Sequence, residues 1–253
     1  MGGAALRTGP RMIKLTLQHW YGFTDGVRLV PAGPLTEEEW ERLRERDTAF
    51  GFGSSREEWI ALARSNTGIV ERAAAVADLL EDWQTKRVVS VGVGTGIFEF
   101  LLKNSTPDLK IRSGDWGDES LRVLQERLGE GESVERMDLR QPTWCRDTEE
   151  SVLLNRVDME LSDSDWHRVF ADLARRGAKR IVWIPCGLLT PGSAATEIRG
   201  VLAGLATRRH LHRSGYLRTP ARMVELFSDH YVRREVIKRG DLPTWGLHLR
   251  DEG

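Results

Sequence analysis

The chain has 253 residues, of which 40% are hydrophobic, enough for one full α/β domain with a buried core. Its 37 Lys and Arg residues balance 38 Asp and Glu residues, so overall charge does not favour nucleic acid or an anionic membrane as a partner. Two cysteines, Cys145 and Cys186, are too few for a disulfide framework and lack metal-site spacing. No run of about 18 apolar residues occurs, and we expect a cytoplasmic protein without a membrane span.

The first third of the chain shows helical patterns joined by glycine-containing loops, with no strand alternation of useful length. Capping patterns open two predicted helices, at Thr36 and at Ser55. Residues 70–83 then place apolar side chains on one helical stripe, which indicates packing against the following segment. We predict a helical cap or lid over residues 1–84, in which the loop around Phe52 forms part of the lid.

From Arg87 onward, strand patterns alternate with helical patterns, which is typical of a doubly wound, mostly parallel α/β sheet. Five strands are predicted in this rhythm, at residues 87–92, 109–114, 133–137, 151–155 and 179–184. Two more strand-like pieces, 231–240 and 244–251, are joined by so short a link that they must pair antiparallel. We therefore predict a core domain over residues 85–253.

Three glycines, Gly92, Gly94 and Gly96, alternate at the end of the first core strand, in the segment RVVSVGVGTGIFEF. Glycines allow a backbone to pass close to a ligand at the carboxyl edge of a sheet. The dinucleotide fingerprint G-x-G-x-x-G requires a glycine where this chain has Ile97, which disfavours an NAD-dependent oxidoreductase. The run G-V-G-T-G instead resembles the first motif of class I S-adenosylmethionine-dependent methyltransferases.

Acidic residues follow the next two strands. Asp115 ends the second strand, about 20 residues after the last glycine, where an acid can accept hydrogen bonds from both ribose hydroxyls. Trp116 offers a flat face for stacking on adenine. The segment GDWGDESLRVLQERL resembles the corresponding part of the same family, and that resemblance implies that Asp138 accepts from the adenine amino group while the Leu139 N–H faces the ring. We also assign Asn155, at the end of the fourth strand, to the cofactor site.

The resemblance covers residues 87–250. It implies a Rossmann-like, seven-stranded, mostly parallel sheet with one antiparallel strand, with S-adenosylmethionine as the cofactor and S-adenosylhomocysteine as the product. One position departs from the family pattern, because the acid usually found two residues before the first glycine is Ser90 here. Either Ser90 acts through water, or another acid such as Glu99 replaces it in holding the ammonium group of the cofactor.

Residues for the methyl acceptor are expected after the fourth and fifth strands. The sequence N-R-V from Asn155 lacks the two prolines of family members that methylate adenine or glutamine, and it looks like the loop of small-molecule members. Asp158 and Glu160 are candidates for a base or a cation ligand, and the plainer alternative is that they precede and cap the helix that begins near Asp163. His167 on that helix is a weak candidate, expected to be exposed rather than catalytic.

Two further features leave alternatives open. Cys186 follows Pro185 after the fifth strand, where a thiolate suits cytosine C5 methylation. The chain lacks a second Pro-Cys after the fourth strand, however, and this favours an inert cysteine. The basic segment 208–218 either binds phosphate or carboxylate groups or is a solvated helix end.

We therefore predict an O- or N-methyltransferase that acts on a small-molecule acceptor and has no metal, nucleic-acid or membrane partner. The oligomeric state stays open, a homodimer included. The alternatives are an RNA methyltransferase that uses the basic segment or Cys186, and a catalytically inactive protein of the same fold that binds or scaffolds a partner. Trp20, Trp40, Trp59 and Trp183 are candidates for an apolar acceptor pocket, although most tryptophans are expected in the core.

Overall fold

The computed structural model describes residues 13–24, 28–30, 55–128, 133–207, 212–240 and 242–251. The main sheet consists of β3 (Arg87–Val91), β4 (Lys110–Asp115), β5 (Ser133–Arg136), β6 (Ser151–Asn155), β7 (Arg180–Ile184), β9 (Tyr231–Ile237) and β10 (Thr244–Leu249). A smaller sheet consists of β1 (Thr16–Thr24), β2 (Arg28–Val30) and β8 (His212–Arg218). The helices are α1 (Arg56–Ser65), α2 (Thr67–Asp82), α3 (Ile97–Ser105), α4 (Asp118–Leu128), α5 (Asp163–Arg175), α6 (Pro191–Thr207) and α7 (Pro220–Phe227), with a 3₁₀ turn at Pro142–Trp144.

The main sheet has the strand order β5-β4-β3-β6-β7-β10-β9. All neighbours from β5 to β7 pair in parallel, whereas β10 pairs antiparallel with both β7 and β9. This confirms the predicted seven-stranded sheet with one antiparallel strand. The strand order reverses between β3 and β6, and ligands of such sheets bind at the carboxyl ends of the strands beside this reversal.

Both faces of the main sheet are covered, because its strands alternate side chains between two hydrophobic clusters. On one face, Val88 packs with α1, α2 and α3, so the helices before the sheet share a core with it. On the other face, Val89 and Val91 pack with α5 and α7. The second face is rich in aromatic rings, and Trp183 on β7 lies 5.3 Å from Trp166 between ring centroids.

Three helix starts follow local capping rules. The Ser55 side chain accepts a hydrogen bond from the Glu58 N–H at the start of α1, as predicted. Thr219 accepts from the Arg222 N–H at the start of α7, with Pro220 as the first helical residue. At the start of α5 the cap is Ser162, which forms a reciprocal capping box with Asp165.

The smaller sheet contradicts our expectation that the first third of the chain contains no strand. β1 pairs antiparallel with β8, from Thr16 opposite Arg218 to Gly22 opposite His212. β8 in turn lies on the loops that follow β6 and β7, because the Tyr216 N–H donates to the Met159 carbonyl at 3.0 Å and the Arg218 N–H donates to the Gly187 carbonyl at 2.7 Å. Part of the basic segment is therefore a strand. The small sheet covers the loops at the carboxyl edge of the main sheet.

Several predictions fall outside the described residues. These are the helix opened by Thr36, the side chains of Trp20 and Trp40, the loop around Phe52 and the basic residues 208–210. The domain boundary between residues 84 and 85 stays a prediction. In the part of the chain that the structure describes, no helix combines the length and apolar character needed to cross a bilayer.

Candidate functional site

The glycine turn between β3 and α3 has left-handed backbone geometry at each of its glycines, with φ of 72° at Gly92, 58° at Gly94 and 70° at Gly96. A Cβ atom added to Gly92 would lie only 2.5 Å from Cγ1 of Val157, and one added to Gly96 would overlap the Leu124 side chain. A Cβ on Gly94 would meet no atom of the described residues within 4 Å. Two of the glycines therefore allow close packing, while the backbone at Gly94 faces space that no described residue fills.

Asp115 holds this turn in place from the end of β4. Its Oδ2 accepts a hydrogen bond from the Gly94 N–H at 2.8 Å, and its Oδ1 accepts from the Trp116 N–H at 2.8 Å. The side chain is 1% exposed. A carboxylate has about four lone-pair positions, so these two backbone hydrogen bonds do not by themselves exhaust its capacity to accept. The predicted ribose acid is thus part of the glycine turn.

The turn also contacts the helices that precede the sheet. Trp59 of α1 donates from its indole Nε1 to the Thr95 carbonyl at 2.9 Å, and its ring lies 4.9 Å from that of Phe100 between centroids. Trp59 and Trp183 are fully buried, and neither therefore lines an open acceptor pocket. Through Trp59, α1 packs against the glycine turn and stabilises it.

Ser90 and Glu99 form a buried pair under the turn. The Ser90 hydroxyl donates to Oε1 of Glu99 at 2.7 Å, while the buried Oε2 of Glu99 has no hydrogen-bond partner among the described residues. Burial raises the pKa of Glu99 to about 7, against the lowering effect of the Ser90 hydrogen bond, and the negative charge of Asp115 adds to the rise. The chain thus has a carboxylate, that of Glu99, within hydrogen-bond distance of the position where the family pattern has an acid.

Asp138 and Trp116 are both engaged by one residue, Arg140. Oδ1 of Asp138 accepts from the Arg140 backbone N–H at 2.9 Å and from its Nε at 3.0 Å, and Oδ2 accepts from a terminal guanidinium nitrogen at 2.9 Å. The guanidinium carbon also lies 5.5 Å from the centroid of the Trp116 ring. Leu139, which lies between Asp138 and Arg140 in the sequence, packs against the hydrophobic core. The sequence analysis missed Arg140, although its position two residues after the acid was a usable signal for local pairing.

Asn155 ends β6 beside the glycine turn, because Leu154 pairs in register with Val91. Its Oδ1 is buried, and no residue in the described part of the chain forms a hydrogen bond with it. The next residue, Arg156, has φ of 61°, a left-handed conformation that costs energy for a residue with a side chain. Such strain persists only where the surroundings impose it, and here it occurs at the strand end predicted to meet the cofactor.

Asp158 and Cys186 contact each other where the loop after β7 begins. Asp158 is fully buried, and its carboxylate accepts from the Cys186 N–H at 2.8 Å and from the Gly187 N–H at 2.7 Å. It thus anchors the loop after β7. Asp158 and Glu160 precede α5, as the plainer alternative predicted, but the N-cap of that helix is Ser162. Burial raises the pKa of the Cys186 thiol well above its usual value, and the adjacent Asp158 charge raises it further.

Arg218 completes this anchor. Its fully buried guanidinium donates from Nε to Asp163 at 2.6 Å and from the terminal nitrogens to the carbonyls of Asp158, at 2.6 Å, and Leu161, at 2.5 Å. The other two acceptor-side candidates lie outside this cluster, since Glu160 is exposed and His167 is partly exposed on α5. Among the described residues, no group of three or more His, Cys, Asp and Glu side chains is arranged to hold a metal ion.

Comparisons with known proteins agree with this architecture. No protein-family model and no curated protein sequence matches the chain. Among solved structures, it is similar to the PH0226 protein from Pyrococcus horikoshii OT3, with 12% identity, a TM-score of 0.58 and coverage of 83% of this chain and 99% of that one. It is also similar to human N-acetylserotonin methyltransferase in complex with SAM (18% identity, TM-score 0.57, 85% of this chain) and to mitomycin 7-O-methyltransferase MmcR (15% identity, TM-score 0.59, 83% of this chain).

The protein has the class I S-adenosylmethionine-dependent methyltransferase fold. At these identities the likeness establishes the fold alone. The chain spans 56% of the length of N-acetylserotonin methyltransferase and 60% of that of MmcR, so the activities of those proteins are not carried over with the fold.

Proposed function

We propose that the protein transfers a methyl group from S-adenosylmethionine to a small-molecule acceptor, at oxygen or nitrogen. The observation that supports this most directly is the glycine turn, which is open at Gly94 and held by Asp115 at the carboxyl edge of the sheet. Two buried oxygens near the turn, Oε2 of Glu99 and Oδ1 of Asn155, have no hydrogen-bond partner within the described ranges. Buried polar atoms without partners are costly, and a polar ligand at this edge satisfies them.

The residues present fit the cofactor along its length. Glu99 is suited to the ammonium group, Asp115 to the ribose hydroxyls, and Asp138 with Trp116 to the adenine. When bound, S-adenosylmethionine supplies a methyl group on a sulfonium, which is a good leaving group. The contribution of the chain is to orient this group and the acceptor, and positioning of that kind provides a large part of the rate.

Proton transfer is a secondary requirement, needed only where the acceptor must lose a proton. Asp158 is unsuited to it, because both of its oxygens hold the loop after β7. Glu160 and His167 stay candidates for a base at an ionisable acceptor. A small-molecule acceptor is supported by two structural neighbours, which are named as methyltransferases of N-acetylserotonin and of mitomycin.

The RNA alternative receives less support. A cysteine nucleophile acts as its thiolate, and burial raises the pKa of Cys186 well above its usual value. The net charge of −1 gives no general attraction to a phosphate backbone.

Binding of S-adenosylhomocysteine, measured by calorimetry and by thermal melting, tests the proposal. At about 100 times its Kd this ligand is expected to raise the free energy of unfolding by about 2.7 kcal/mol, and NAD should have no effect. Stabilisation by NAD alone would overturn the proposal. Binding without transfer of labelled methyl groups to any member of a panel of small phenols and amines would favour the inactive scaffold.

A further inference from the structure

Arg140 occupies the place that the proposed function gives to adenine. It satisfies both oxygens of Asp138 with three hydrogen bonds, and it covers the ring of Trp116 at 5.5 Å. A guanidinium group is flat, stacks on aromatic rings and donates several N–H bonds in one plane. It therefore meets the stacking face and the carboxylate as an adenine ring with its amino group would.

We propose that Arg140 closes the adenine end of the site and must move aside before an adenosyl ligand binds. This inference rests on the proposed function. A flat ring inserted between the Arg140 guanidinium and the Trp116 ring would need about 7 Å between them, which is two van der Waals contact distances. The distance from the guanidinium carbon of Arg140 to the Trp116 ring centroid is only 5.5 Å. Asp138, for its part, has each oxygen already accepting from Arg140.

The closed arrangement is weak enough to open. The side chain of Arg140 is 53% exposed and that of Asp138 is 32% exposed, so solvent screens the ion pair. The cation–π contact at such a site is also modest. If the open form is about 10–30% of the population, the apparent affinity for an adenosyl ligand falls about three- to tenfold below its intrinsic value.

The test compares Arg140→Ala with the wild type in calorimetric binding of 5′-methylthioadenosine, which carries the adenosine end without the amino acid. Arg140→Ala is expected to bind about three- to tenfold more tightly. Arg140→Lys, which keeps the charge but not the planar fork, should lie between the two. Arg146→Ala is the matched control, because Arg146 is an exposed arginine paired with Glu135 at 3.2 Å, and it should bind as the wild type does.

Salt gives a second measurement that does not depend on the variant alone. 5′-Methylthioadenosine is uncharged, so salt acts on its binding through charges of the protein. High salt should tighten binding to the wild type, by weakening the Arg140–Asp138 pair, and leave Arg140→Ala unchanged.

Equal or weaker binding by Arg140→Ala, with a wild type that binds S-adenosylhomocysteine, would overturn this inference and leave the proposed function intact. Weaker binding would mean that Arg140 stays and contacts the ligand. If no form of the protein binds any adenosyl compound, the proposed function fails and the inference fails with it.

Discussion

The Ser90 hydroxyl donates a 2.7 Å hydrogen bond to Oε1 of Glu99, and this bond joins a strand residue to an acid on the first turn of α3. Glu99 is 2% exposed and its second oxygen has no partner. The pair places a carboxylate beneath the glycine turn even though the strand itself carries no acid there. Burial keeps much of that carboxylate protonated near neutral pH, because its pKa is about 7.

The pH dependence of stability follows from Glu99. Its folded pKa of about 7 lies above the ordinary 4.5, so the folded state binds more protons than the unfolded state between these values. The stability due to neutral Glu99 is fully present below pH 4.5 and is lost as the pH rises through 7. As the pH rises from 5 to 8, we expect the free energy of unfolding of Glu99→Gln to increase relative to that of the wild type by about 3 kcal/mol at most.

Urea unfolding at the two pH values measures this gain. Glu126→Gln is the control, because Glu126 is an exposed residue paired with Arg122. A difference between wild type and Glu99→Gln that does not change with pH would contradict the assignment.

Glu99 should also discriminate between ligands. At pH 8, where a carboxyl group with a pKa of about 7 is mostly ionised, we expect Glu99→Gln to weaken S-adenosylhomocysteine binding about tenfold or more, because a hydrogen bond between charged groups is lost. Binding of 5′-methylthioadenosine, which lacks the ammonium group, should change less than about twofold. Calorimetry with both ligands checks this, and an equal loss for the two would place Glu99 in a general structural role.

Asp115 is expected to serve both stability and binding. Asp115→Ala leaves the N–H groups of Gly94 and Trp116 without their acceptor, and we expect a loss of about 2 kcal/mol or more in the free energy of unfolding. Asp115→Asn keeps one acceptor oxygen, so it should be more stable than the alanine variant and still bind S-adenosylhomocysteine poorly. Asp118→Asn, at an exposed acid, is the control. Wild-type affinity in Asp115→Asn would remove this residue from the ribose site.

Alanine at two glycines of the turn should separate packing from ligand access. Both substitutions strain a left-handed backbone, by about 1–2 kcal/mol. Gly92→Ala adds a steric overlap with Val157, which should lower the free energy of unfolding by about 1–3 kcal/mol more. The Cβ of Gly94→Ala would have no atom of the described residues within 4 Å, and we expect the smaller loss of stability but the larger loss of S-adenosylhomocysteine affinity. Denaturant unfolding and calorimetry together test this pair, and a Gly94→Ala protein that binds normally would mean that no ligand passes there.

Cys186→Ser tests the nucleophile alternative. A serine hydroxyl can still donate to Asp158 and should keep the loop after β7 in place. We expect methyl transfer and S-adenosylhomocysteine binding close to those of the wild type. Loss of transfer with binding retained would instead identify Cys186 as a covalent catalyst.

The core strands and the residues at their ends were predictable from the sequence, because their signals are local. A β-branched run before the three glycines predicts β3, and Asp115 and Asp138 were expected at strand ends from their positions alone. The parallel arrangement then requires these ends to meet at one edge, since consecutive strand–helix units wind in the same direction. The fold followed from these features, and so did the edge of the sheet at which we propose the cofactor site.

Tertiary structure decided the remainder. β1 has no clear alternation, and it is a strand because it pairs with β8, almost 200 residues away in sequence, where context outweighs local propensity. Whether Asp158 caps a helix or anchors the loop of Cys186 depends on how deeply the chain buries it, and burial arises only when distant segments pack together. The contact of Arg140 with the Trp116 ring likewise depends on tertiary structure, because the two residues come from different loops at the edge of the sheet. Sequence spacing determines which side chains reach an edge of the sheet, whereas three-dimensional packing determines which partners they find there.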